Sequence, residues 1–98
     1  MKFFLTITET AKNTLIKLKN SPDQQKPFKA VTKALKFLLD NPRHPGLQTH
    51  EFTSLKGPKG EKVFEAYAQQ DTPCAYRIFF YYGAIKGEIV IIAITKHP

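Results

Sequence analysis

The chain contains no tryptophan and a single cysteine, Cys74, so no disulfide can form within it. A free cysteine is expected to sit as a small, partly buried hydrophobe. A nucleophilic one needs an activating base beside it, and the sequence nominates none. The three histidines, His44, His50 and His97, lack the Cys/His spacing that holds zinc. Neither a metal nor another cofactor is expected. Glycine-rich phosphate loops and the Gly-x-Ser-x-Gly elbow are missing as well.

Long apolar runs are also missing. The opening Met1-Lys2-Phe3-Phe4-Leu5 is interrupted by Thr6, Thr8 and Glu9, too soon for a signal sequence. The longest candidate, Ile89 to Ile94, has strand length, well short of the roughly 20 residues that span a bilayer. A cytoplasmic protein without membrane contact is expected. No repeat, linker or low-complexity tract interrupts the 98 residues, which suffice for one hydrophobic core and not two. Residues 1–98 therefore read as a single domain.

Acidic side chains are scarce: eight, against fifteen Lys and Arg, for a net charge of +7. Such a surplus suits a polyanionic partner, whether nucleic acid, a ribosome or an acidic protein, and it also serves solubility. Residues 1–42 hold eight lysines against only Glu9, Asp23 and Asp40.

What is present is a clear change of period. Phe3, Leu5 and Ile7 alternate with Lys2, Phe4 and Thr6, which reads as a strand. Thr8 or Thr10 can cap a helix, and Ala11, Leu15 and Leu18 form its apolar face up to Asn20-Ser21-Pro22. A second helix is predicted from near Asp23, with Pro27 in its first turn and Phe28, Val31, Leu35 and Leu38 as its inner stripe. Lys26, Lys29, Lys33 and Lys36 lie opposite that stripe, either as a solvated face or as a ridge that docks phosphates.

From His44-Pro45-Gly46 onward the period is 2. Strands are predicted over Glu51–Leu55, Val63–Ala68, Ala75–Tyr82 and Glu88–Thr95, joined by short turns that make sequential strands antiparallel neighbours. The last is apolar on both sides and belongs in the sheet interior. The expected class is α+β: an N-terminal strand, then a two-helix hairpin covering one face of a mainly antiparallel sheet of four to five strands.

The other sheet face is where a site is expected. Arg77 shares a side with Phe79 and Tyr81, and Glu65 and Tyr67 share a side with Val63. Arg77 either pairs with Glu65 across the hairpin or clamps a phosphate with its forked donors. Lys96 and His97 follow the last strand, His97 as a solvated bystander or as a proton-transfer group. Arg, His, Glu and Tyr without metal ligands suit RNA cleavage by its own 2′-hydroxyl. That reaction needs a base, an acid, and a cation for the charge that builds on phosphate.

The order strand–helix–helix–strands resembles the RelE/ParE superfamily of type II toxin–antitoxin toxins. The resemblance rests on that order and on Leu55-Lys56-Gly57, Tyr76-Arg77-Ile78-Phe79-Phe80-Tyr81 and the closing Thr95-Lys96-His97. It implies a toxin neutralised by an acidic antitoxin protein. RelE-like members are ribosome-dependent, metal-independent mRNA endonucleases that block translation, whereas ParE-like members inhibit DNA gyrase without catalysis. An inactive toxin fold kept for binding is a third reading.

Under the RelE-like reading the resemblance gives Arg77 and Lys56 to phosphate, His97 to acid–base work, and Glu65 or Glu51 to the complementary role. Tyr67 and Tyr81 are candidates to stack a base, and Lys96, Lys29, Lys33 and Lys36 would contact RNA. The lysine-rich middle strand of some nucleases has no counterpart here, a departure that leans toward ParE.

Overall fold

The computed structural model describes residues 2–96. Its elements run β1 (Phe4–Ile7), α1 (Glu9–Lys19), α2 (Gln25–Asp40), β2 (His50–Lys56), β3 (Lys62–Tyr67), β4 (Tyr76–Tyr82) and β5 (Glu88–Lys96). Single 3-10 turns at Pro22–Gln24 and Pro45–Leu47 flank α2.

Thr8 starts α1 by accepting the amide of Ala11 at 3.3 Å, with Glu9 in the positively polarised first turn. The second helix begins slightly later than predicted. Asp23 lies in the 3-10 turn that Pro22 opens, and α2 starts at Gln25. The Gln25 carboxamide explains the offset: it donates to the carbonyls of Lys19 and Ser21 at 3.1 and 2.9 Å. That side chain thus satisfies acceptors that the end of α1 leaves open.

The sheet has the order β1-β5-β4-β3-β2. The hairpins make β2 through β5 antiparallel, and β1 joins the free edge of β5 in parallel, pairing Leu5 with Ile89 and Ile7 with Ile91. As expected from its sequence, β5 is an interior strand. Its apolar character on both sides has a specific cause. Phe79 pairs with Ala93 but Phe80 with Ile91, so Ile92 is an extra residue that breaks the alternation. The bulge lets Ile89, Ile91 and Ile94 all reach the helix-covered side.

There they meet Ile78, Phe80 and Ala66 of the sheet and Ala11, Leu18, Val31, Ala34, Leu35 and Leu38 of the helices, all buried. The four lysines at 26, 29, 33 and 36 lie on the outer side of α2, away from this core. Cys74 departs from its expected burial: it is exposed in the β3–β4 connection, at a left-handed φ of 55°. The β4 apolar pattern begins only after it, so no core is within its reach.

Candidate active site on the open sheet face

Among the described residues no helix covers the second face, and the strand registers decide what meets there. His50 of β2 pairs with Glu65 of β3, and Glu65 with Phe79 of β4, forming one cross-strand row. Tyr67 and Arg77 form the next row. Arg77 reaches diagonally to Glu65, donating from Nη1 to Oε2 at 2.8 Å. The other carboxylate oxygen, Oε1, lies 2.8 Å from Nε2 of His50. Of the two readings open for Arg77, the pair with Glu65 therefore forms.

The pair is not a surface decoration. The side chain of Glu65 is 5% exposed, that of Arg77 19% and that of His50 48%. A carboxylate buried to that degree is tolerated only with a partner at each oxygen, and it has one at each. Nδ1 of His50 lies 3.0 Å from the Gln48 carbonyl oxygen. With Glu65 ionised, both histidine contacts are hydrogen bonds only when both ring nitrogens carry protons.

The Tyr67 ring borders this cluster. The Arg77 guanidinium sits 4.4 Å from its centroid and the His50 ring meets it edge-on at 5.7 Å. Nη1 is the guanidinium nitrogen that Glu65 occupies, while Nε is shielded from solvent and has no partner among the described residues. The arginine thus retains donors for a further acceptor.

Other predicted residues lie elsewhere. Glu51 pairs with Phe64, whose side chain packs on the helix-covered core, so strand alternation turns Glu51 away from Glu65; its nearest cation is Lys56 at 3.9 Å. Lys56 is at the far end of β2, opposite Lys62. Tyr81 is on the open face beside Val90, two residues beyond Phe79. Lys96 pairs with the core residue Tyr76 and lines a cavity with Lys17 on the helix side. Lys29, Lys33 and Lys36 stay on α2, with Lys33 lying over the Phe37 ring. His97 lies outside the described residues.

His50 is the member that sequence reasoning missed as a site residue. The strand predicted from Glu51 to Leu55 starts one residue late and places His50 in a loop, whereas β2 begins at His50 itself. Extending the alternation back by one residue puts it on the same side as Phe52, which packs on Phe79. Among the described residues no three His, Cys, Asp or Glu side chains cluster in a way that could hold a metal ion. Among them, too, no helix is long and apolar enough to cross a membrane.

No protein-family model matches the sequence, and no curated protein matches it significantly. Solved structures do match along the whole chain. A YoeB/ParE toxin from Agrobacterium tumefaciens aligns over all of both chains with a TM-score of 0.69 at 11% identity. The archaeal RelE–RelB complex from Pyrococcus horikoshii OT3 aligns over 98% of this chain and 96% of that one, with a TM-score of 0.65 at 14% identity. A YoeB dimer from Staphylococcus aureus aligns over the full length of both, with a TM-score of 0.62 at 14% identity.

The fold is that of the RelE/ParE toxins. The expected element order and helix-covered sheet are thereby accounted for. In this RelE/ParE frame the cluster of His50, Glu65, Tyr67 and Arg77 occupies the sheet face that the helices leave open.

Proposed function

We propose that this protein is the toxin of a toxin–antitoxin pair and an endoribonuclease that cleaves mRNA on the ribosome, without a metal ion. The observation that carries the reading is the carboxylate of Glu65, buried on an open sheet face between Arg77 and His50. Apolar side chains of similar size would serve stability equally well or better there. A buried acid that orients a cation and an imidazole is instead the arrangement that phosphoryl chemistry uses.

In this reading the 2′-oxygen of the substrate attacks phosphorus and loses its proton to a base. The departing 5′-oxygen takes a proton from an acid, leaving a cyclic phosphate. Arg77 carries the negative charge that builds on the phosphoryl oxygens, and Glu65 positions it. The Glu65–His50 pair and His97 supply the base and the acid. Tyr67 stacks a flanking base, a contact that accepts any base because each has a π-face. Lys56, Lys29, Lys33 and Lys36 supply sequence-independent attraction to RNA. Lys96 and Tyr81 extend that RNA contact, and Glu51, on the other side of the sheet, takes no part in the site.

The partner that restrains such an activity would be an acidic antitoxin, as the RelE–RelB complex suggests by analogy. The net charge of +7 suits a negatively charged segment.

A cell-free translation reaction dosed with the purified protein, followed by primer extension on the mRNA, tests the reading. Discrete cuts that require ribosomes and vanish in Arg77→Ala are expected. Intact mRNA together with inhibited DNA supercoiling would replace it with a gyrase inhibitor.

A further inference from the structure

On the helix side of the sheet, where the end of α1 meets the end of β5, is a cavity of about 310 Å³. Its wall includes Lys17, Ser21, Gln24, Tyr76 and Lys96, and among the described residues no carboxylate lines it. The β4–β5 register sets Lys96 directly across from Tyr76, so an ammonium and a phenol share one edge. Lys17 closes the cavity from the last turn of α1. Among the described residues neither lysine is in an ion pair.

Lys17 is not needed to close its own helix. The last four carbonyls of α1 are already met: Ile16 accepts the Asn20 amide, Lys17 the Ser21 hydroxyl, and Leu18 and Lys19 the Gln25 carboxamide. Gln24 makes no capping contact through its side chain, so its carboxamide is free to donate as well. Tyr76 is only 8% exposed, yet its hydroxyl makes no hydrogen bond among the described residues. A phenol held in a packed core ordinarily finds a partner for its oxygen, and this cavity is the open space beside it.

We propose that the cavity binds a phosphate dianion, either the free ion or the monoester of a small molecule. At neutral pH such a group carries about −1.5 to −2 charges and three acceptor oxygens. Two ammoniums balance that charge, and donors from Lys17, Lys96, Tyr76 and Gln24 suffice for the three oxygens. A phosphodiester, the linkage of an RNA backbone, has one charge and two free oxygens and leaves donors unmet. A carboxylate has the same shortfall. The volume is at the lower edge of the roughly 300–1,000 Å³ of small-molecule pockets. It leaves room for a small organic group against Leu18 and the Tyr76 ring. The site is on the opposite side of the sheet from Glu65 and Arg77, and it stands whether or not the protein cleaves RNA.

The test uses the full chain, labelled with ¹⁵N, titrated with methyl phosphate, inorganic phosphate and dimethyl phosphate at one fixed ionic strength, so that screening is constant. The two dianions should give saturable shifts in the amides of residues 17–24 and 76. Dimethyl phosphate should bind at least about 10-fold more weakly, the loss of one hydrogen bond to a charged group. Lys17→Gln and Tyr76→Phe should each weaken methyl phosphate binding by about 3-fold or more, the second with the core ring retained. Binding should also weaken as the pH falls through about 6, where the phosphate takes up a proton. Tighter binding of methyl phosphate would identify an ester as the ligand, and tighter binding of inorganic phosphate the free ion. Shifts that do not saturate, equal binding of dimethyl phosphate, or an unchanged affinity in either variant would overturn the site.

Discussion

The two faces of the sheet are built on opposite principles. The centre of the helix-covered face is apolar: Phe80, Ile78, Ile89, Ile91 and Leu38 are essentially inaccessible and interlock without a polar atom among their side chains. The open face buries Glu65 nearly as deeply, yet holds it with an ion pair to Arg77 and a contact to His50. On the first face stability rises with area removed from water. On the second, the cost of desolvating charge is offset only by near-ideal partners. Under the proposed ribonuclease reading the second arrangement serves chemistry and the first serves strength, and substitutions on the two faces should separate these purposes.

The largest effect is expected from the apolar face. Phe80→Ala empties a fully buried ring site and should cost about 3–5 kcal/mol, read by urea denaturation. That is a large share of the roughly 5–15 kcal/mol typical of a whole domain.

On the open face, Glu65→Ala should cost about 2–4 kcal/mol, because it strands a largely buried Arg77. The sharper experiment removes the pair together. Glu65→Leu combined with Arg77→Met should recover most of that loss and, under the proposed ribonuclease reading, leave no RNA cleavage. If the double variant were as unstable as Glu65→Ala, the contrast drawn between the faces would fail.

Backbone constraints give intermediate effects. Gly87 has φ +85°, and a Cβ there would lie 2.9 Å from the Lys2 carbonyl oxygen, at the β1–β5 junction. Gly87→Ala should therefore cost about 1–3 kcal/mol in the same denaturation assay. A neutral result would mean that β1 contributes little to the edge of the sheet.

The smallest effect belongs to the helix start. Thr8→Ala removes the cap on the Ala11 amide and a hydroxyl contact to the Ile92 carbonyl, and should cost about 1 kcal/mol. Under the ribonuclease reading cleavage should be unchanged, since the hydrogen bonds of Thr8 go to the helix start and β5.

Much of the architecture is legible in the sequence, for physical reasons that are local. The 3.6-residue stripe of Phe28, Val31, Leu35 and Leu38 and the alternation of Tyr76 to Tyr82 each report which side is apolar. The same alternation assigns Glu65, Tyr67 and Arg77 to strand sides, and those three do gather in space. Glu51 stands out in the sequence only by its closeness to the Leu55-Lys56-Gly57 turn. A one-residue difference in parity turns it away from the cluster that His50 joins.

By itself, then, the sequence determined the helices, the strands, the apolar stripes and the excess of positive charge, because each depends on neighbours a few residues apart. Only the tertiary structure decided that β1 runs parallel to β5. It also decided that a bulge at Ile92 turns Ile94 inward, and that His50, Glu65 and Arg77 meet beside Tyr67. Those outcomes depend on strand register and on the diagonal reach of long side chains. Both are set by pairings between residues far apart along the chain, which no local pattern records.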